Sequence, residues 1–409
     1  MSPPKKDLRR QKEQIKNTKI EKILWSMKFY VIIEYCFGIF RFCLVNHELK
    51  PPNKLMRILS AVIPSVHVVM FTIFFERSDI YQKNWEFIGN KIPQSFILIQ
   101  YLIFALSCSF YLNKNCKNLI NNLADLDSAL DANTNDCFYK KNRYETIKYL
   151  IILGVFHALD SIADLVFNEN HTISEIITLP TYFLENLEIL VFCNLVLMLQ
   201  RRLEIINGHL TIFVENKANE KLFVTTVRER REEPDEGYDF IGLPSNNNTK
   251  IRDLAVIYDK IGNICFLINE TFNLQLFLTL LSTFTNVIII IVWSTIIYFR
   301  SPEFRLSILM TIMTWSTTII FTITMMSVAC ERLLLTRNCT KVLVNKVIMN
   351  YELPNVVRIQ AKAFMELIEA WPLQILVYDM FILDINLMLK FISVATTYLI
   401  VIIQLSHFM

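Results

Sequence analysis

Seven long apolar stretches, separated by short polar or charged segments, dominate the pattern of this chain. They fall at roughly 55–75, 85–112, 144–168, 175–200, 263–299, 306–330 and 371–409. Each is at or near the ~20 residues that a helix needs to cross a bilayer's hydrocarbon core. An earlier stretch, 28–45, is interrupted by Glu34 and Arg41, whose seven-residue spacing puts both on one face of a helix. It predicts a half-inserted or interfacial helix rather than a further span. Outside the spans the period persists. Ile251, Leu254, Tyr258, Ile261, Cys265 and Ile268 recur at three- and four-residue steps, and Leu343, Val347, Val356, Ile359, Ala363 and Leu367 form a second such pattern. Their polar faces carry no strong basic bias, so packing between subunits is expected rather than adsorption to lipid headgroups. Residues 226–250 are charged and turn-rich and read as a disordered loop.

Composition agrees with the pattern. Of 409 residues 53% are apolar and 19% charged, with only 7 Gly, which sets aside water-soluble enzyme classes. The fold class expected is an all-α polytopic membrane protein with seven transmembrane helices. No cleavable signal is visible in the polar, basic segment 1–22. The nine Cys show no disulfide framework and read mostly as small core residues.

Charge predicts orientation. With the N-terminus inside, segments 1–54, 113–143, 201–262 and 331–370 hold 33 Lys and Arg, against four (Arg77, Lys83, Arg300, Arg305) in the outside loops. Seven crossings then put the C-terminus outside. This is inverted relative to a G-protein-coupled receptor, whose Asp/Glu-Arg-Tyr and Asn-Pro-x-x-Tyr marks are also missing; Glu331-Arg332 reads as a helix end. A secondary transporter, which favours Gly-broken helices, fits poorly with so few glycines. The outside loops 76–84, 169–174 and 300–305 are too short to capture a ligand, so any binding site lies among the helices.

Ionisable and aromatic residues within spans are the candidates for it. His157 and Asp160 share a face of the third span with Asp164, while Tyr182 and Glu185 lie at similar depth on the fourth. Trp293 and Tyr298 on the fifth, Thr311 and Trp315 on the sixth, and Gln94 and Tyr101 on the second close the ring. Carboxylates with aromatic walls suit a protonated alkaloid, through charge and cation–π contact, or a sugar, through acceptors and a stacking ring. A satisfied polar network is the structural alternative. No metal-spaced His/Cys cluster, nucleophile elbow or phosphate loop is present, so neither enzymatic activity nor a cofactor is expected. Asn170-His171-Thr172 is a glycosylation sequon in the second outside loop.

The last span carries the most specific motif, Thr397-Tyr398, five apolar residues and Gln404, preceded by Leu383-Asp384. An amide in lipid is costly unless satisfied. The motif resembles the C-terminal signature of insect gustatory receptors, and length, inverted topology, basic N-terminus and short outside loops are similar to that family. The resemblance implies a ligand-gated, largely non-selective cation channel in the plasma membrane. It implies a homo- or heterotetramer whose last helices line one pore, opened by a small-molecule tastant, with cations and the lipid bilayer as further partners and no nucleic acid. It divides the chain into a cytosolic N-terminus and interfacial helix (1–54), a ligand-binding bundle (55–330), an anchor helix (331–370) and a pore helix (371–409). With Gln404 facing the pore, helical stacking puts Val401, Thr397, Val394 and Lys390 beneath it, an outer constriction that shuts by dewetting. Tyr398 lies off that stripe and is expected to pack on the fifth or sixth span. Lys390 departs from a cation path; snorkelling or pairing with Asp379 or Asp384 is expected. Leu399 stands where sugar-sensing members carry an acid, which favours a bitter-type receptor, with a sugar-sensing channel as the alternative.

Overall fold

The computed structural model describes residues 5–45, 48–78, 84–130, 136–167, 173–219, 250–300 and 306–408. The loop expected at 226–250 and the sequon at Asn170 lie essentially outside these residues. Among the described residues ten helices run in the order α1 (Lys5–Cys36), α2 (Lys54–Ser78), α3 (Asn84–Phe110), α4 (Asn113–Ala129), α5 (Asp136–Phe167), α6 (Ile173–Asn219), α7 (Lys250–Arg300), α8 (Leu306–Met349), α9 (Asn355–Ala370) and α10 (Ile385–Phe408). Two small antiparallel hairpins interrupt them: β1 (Cys43–Val45) with β2 (Glu48–Lys50), and β3 (Leu376–Val377) with β4 (Phe381–Ile382). Among the described residues, α2, α3, α6, α7 and α8 are long and apolar enough to cross a membrane. The chain is an all-α polytopic membrane protein.

Helix α6 is the axis of the bundle. From Leu187 to Leu203 every residue is buried, and α2, α3, α5, α7 and α8 all pack against it. A helix apolar all round belongs inside a bundle, where neighbours rather than lipid cover it. The helices α6, α7 and α8 have 47, 51 and 44 residues. At ~1.5 Å per residue each is more than twice as long as a ~30 Å hydrocarbon core requires. The periodic segments around Tyr258 and Val347 are therefore continuous with spans, and α9 packs across both extensions.

Beside these extensions, buried ion pairs fix α6 to its neighbours. Arg202 is fully buried, grips both carboxylate oxygens of Asp127 on α4 at 2.7 Å and donates to the Met198 carbonyl. Tyr139 donates to the same carboxylate, and the Phe138 ring covers the guanidinium. This satisfies nearly every polar atom of the pair, the condition under which a buried charge is tolerated. Arg201 donates to Glu145 and Asn142 of α5.

Two expected elements are shorter than their apolar stretches. The helix read over 28–45 ends at Cys36. Gly38 has φ +74°, and the Ile39 and Gly38 amides turn back onto Glu34 and Tyr35 carbonyls, a glycine C-cap. Glu34 and Arg41 thus share no helical face; the reversed chain carries Arg41 back until its Nε lies 3.1 Å from both Glu34 oxygens. Likewise the helix read over 371–409 begins only at Ile385. Pro372 disfavours helix at Trp371 and removes a donor, and Leu373, Tyr378 and Asp379 adopt left-handed φ of 50°, 46° and 55°. The β3–β4 turn closes with Met380 N donating to Val377 O at 2.9 Å.

Candidate functional site

Near the N-terminal end of α6, four helices part around a cavity with about 590 Å³ of space between its atoms. Four residues of the expected ring line it: His157 and Asp160 from α5, Tyr182 and Glu185 from α6. They meet because His157 and Asp160 are one turn apart, as are Tyr182 and Glu185 within three residues, on facing helices. Gln94 and Tyr101 of α3 are buried but do not belong to this lining. The Tyr101 hydroxyl instead holds the Phe37 carbonyl at the end of α1, and its ring stands edge-on to His67. Trp293 and Tyr298 fall on α7, and Thr311 and Trp315 on α8; their side chains lie outside the described set.

The rest of the wall is polar and was not anticipated. Asn186, Thr279, Thr283, Asn286, Thr318 and Thr322 contribute, with Leu179 and Ile319 as the apolar members. One side is a closed network. Asn186 Nδ2 meets His157 Nε2 at 3.2 Å, Thr322 donates to Asn186 Oδ1, and Thr318 donates to Asp160 Oδ2 at 2.8 Å. Because the amide nitrogen only donates, Nε2 accepts and the imidazole proton belongs on Nδ1. The Phe183 ring braces the imidazole edge-on, 5.3 Å between centroids. On the opposite side Glu185 neighbours Ser282 and Gln100, and Gln100 donates to Thr279 at 3.0 Å. Two carboxylic groups therefore flank the cavity, and no Lys or Arg is among its described lining.

The last helix is held from one side. The Phe391 and Tyr398 rings both rest on Phe284 of α7, at 6.1 and 6.2 Å, and Met388 receives Thr324 of α8. Tyr398 accordingly packs on the fifth span. Asp384 caps α10, accepting from Leu387 N at 2.9 Å, which gives the Leu383-Asp384 pair a structural task. Lys390, Val394, Thr397, Val401 and Gln404 are all exposed in the isolated chain. Asn269 and Asn273, one turn apart on α7, accept from the amides of Leu376 and Tyr378 and so clamp the hairpin below α10. Such side-chain-to-backbone bonds need a fold before they can be seen.

The 7tm chemosensory receptor family model matches residues 27–406. No curated protein matches the sequence. Among solved structures, the insect olfactory receptor OR5 from Machilis hrabei is similar in fold, with TM-score 0.66 and 11% identity over 92% of this chain and 97% of that one. The same receptor in complex with eugenol gives TM-score 0.67 and 12% identity, over 95% and 99% of the two chains.

Proposed function

Since the chain belongs to the 7tm chemosensory receptor family, we propose that it is a gustatory-type receptor acting as a ligand-gated, non-selective cation channel of the plasma membrane. In this reading the N-terminus is cytosolic, four chains surround one pore, and α10 lines it with Gln404, Val401, Thr397 and Val394. Lys390 sits toward the cytosolic end of that helix and reaches water or an acidic neighbour. The exposed apolar residues of α8 and α9, such as Val342 and Ile359, meet a neighbouring subunit.

The observation that carries the ligand assignment is the cavity with Asp160 and Glu185 on opposite sides and no cation in its described lining. A small protonated tastant of the alkaloid kind complements it, its ammonium between the carboxylic groups. A second reading, a sugar or polyol, is favoured by the Thr and Asn side chains, which offer paired donors and acceptors. Patch-clamp recording of cells expressing the receptor, against alkaloids and sugars, separates the two. Glu185→Gln beside Asp160→Asn should move the half-maximal concentration for a cationic alkaloid at least tenfold. If neither variant shifts the response to any activating compound, the cavity is not the ligand site.

A further inference from the structure

Lys140, Tyr144 and Lys148 recur at four-residue steps along α5, with Lys141 and Arg143 beside them. That spacing stacks side chains on one face of a helix, and here the face is open. Lys140, Lys141 and Lys148 are exposed, and Tyr144 is 69% exposed. None of the three lysines has an acidic partner among the described residues. The one acid within this stretch, Glu145, is engaged by Arg201 of α6. Arg143 is held differently. Its guanidinium lies 4.1 Å from the Trp25 ring and 5.3 Å from the Phe29 ring of α1. Stacking covers the face of the guanidinium and leaves its edge N–H groups for the oxygens of a phosphate. Asn142, which donates to Ser26 at 3.0 Å, fixes α1 against α5 at this level.

The same face turns apolar one turn farther on. Ile151, Val155, Leu159 and Ile162 continue the line of Tyr144 and Lys148 and are 60%, 52%, 51% and 56% exposed. No Lys or Arg follows Lys148 on α5. In a membrane protein an exposed apolar stripe of this kind faces acyl chains, so the basic patch lies where headgroups begin. Tyr144 and the half-exposed Trp25 at the junction are residue types that favour that boundary. A soluble anion would need the cations alone; the stripe leading away from them fits a lipid. We propose that this patch binds the headgroup of a multiply phosphorylated phospholipid. Its phosphates meet Lys140, Lys141, Arg143 and Lys148, and its acyl chains lie along the α5 stripe. These cations outnumber the single net charge of a phosphatidylserine headgroup and match a phosphoinositide. The orientation proposed above makes the leaflet the cytosolic one, and only the choice of leaflet rests on that reading. Lys148 and Asp160 are ~18 Å apart along α5, so the patch stands apart from the outer cavity.

Thermal unfolding of the full-length, detergent-solubilised protein with dioctanoyl phosphatidylinositol bisphosphate tests it. The comparisons are dioctanoyl phosphatidylserine, dioctanoyl phosphatidylcholine and soluble inositol trisphosphate. Tm should rise with the phosphoinositide along a saturating curve, because a ligand that binds only the folded state stabilises it by mass action. Phosphatidylserine and inositol trisphosphate should each need a much higher concentration, and phosphatidylcholine should leave Tm unchanged. Each lysine is worth roughly fivefold in affinity. Lys140→Gln, Lys141→Gln and Lys148→Gln together should therefore raise the half-saturating concentration about a hundredfold, and arginine at the same three positions should preserve it. Lys114→Gln, Lys346→Gln and Lys362→Gln, at exposed positions of α4, α8 and α9, remove equal charge elsewhere and should leave the curve in place. Equal potency of phosphatidylserine or of inositol trisphosphate, a shift with phosphatidylcholine, no shift, or equal weakening by the second triple would overturn the proposal. The assay reads no current, so its failure is separate from a failure of the channel reading.

Discussion

A Cβ added to Gly262 would lie 2.5 Å from two ring carbons of Trp371 and 2.9 Å from a third. Carbon atoms rest at ~3.5–4.0 Å, so in Gly262→Ala the ring must retreat by about an ångström. The ring is tied down. Its Nε1 donates to Asp259 Oδ1 at 2.9 Å, and the Trp371 carbonyl accepts from the Tyr258 hydroxyl at 2.9 Å. A retreat of that size breaks the Nε1 bond, at about 1 kcal/mol, and overpacking adds ~1–3 kcal/mol. Alanine returns ~1 kcal/mol of helix propensity, so a net loss of about 1–3 kcal/mol is expected. Thermal unfolding in detergent, read by fluorescence-detected gel filtration, should show it as a clear fall in Tm. The decisive comparison is a double-mutant cycle with Trp371→Leu. Once the ring is gone, Gly262→Ala should cost nothing or stabilise slightly. An equal loss in both backgrounds, or no loss beside Trp371, would refute the reasoning.

Asp127→Ala should lose ~3–5 kcal/mol by stranding the buried Arg202 guanidinium, and Asp127→Leu combined with Arg202→Met should recover most of it; both are read as Tm. In the β3–β4 turn, Asp379→Val should destabilise by about 1–2 kcal/mol, because a β-branched residue resists left-handed φ. Asp379→Gly should match or slightly exceed wild type in the same assay. Single-channel recording tests Lys390: with its ammonium in the permeation path, Lys390→Gln should raise cation conductance, whereas an unchanged value keeps it at the interface.

The spans were legible because lipid demands unbroken apolar runs of a fixed length, and few other constraints write so plainly. The acidic half of the outer cavity was legible for a related reason, since Asp160 and Glu185 are conspicuous inside apolar helices. Its Thr and Asn half was not. Thr279, Thr283 and Thr318 look like any other small polar residue of a helix, and only the packing angle of α7 and α8 selects them. The early end of α1 has a signal in Gly38, obscured by neighbours that continue the apolar pattern. The break before α10 had one in Trp371-Pro372. Glu331, read as a helix end, lies 3.5 Å from the Ile385 amide at the start of α10, a role set by tertiary contact alone.

The small β3–β4 hairpin changes how force travels through the chain. A continuous helix is a stiff rod, and tilting one end drags the other. Here Ala370 and Ile385 are joined by a folded strap, so α10 can lean while α9 keeps its seat on α7 and α8. The two Asn clamps of α7 and the Asp384 cap then act as the pivot. Had the helix run unbroken from Asn355, any movement of the terminal helix would have pried α9 from its neighbours.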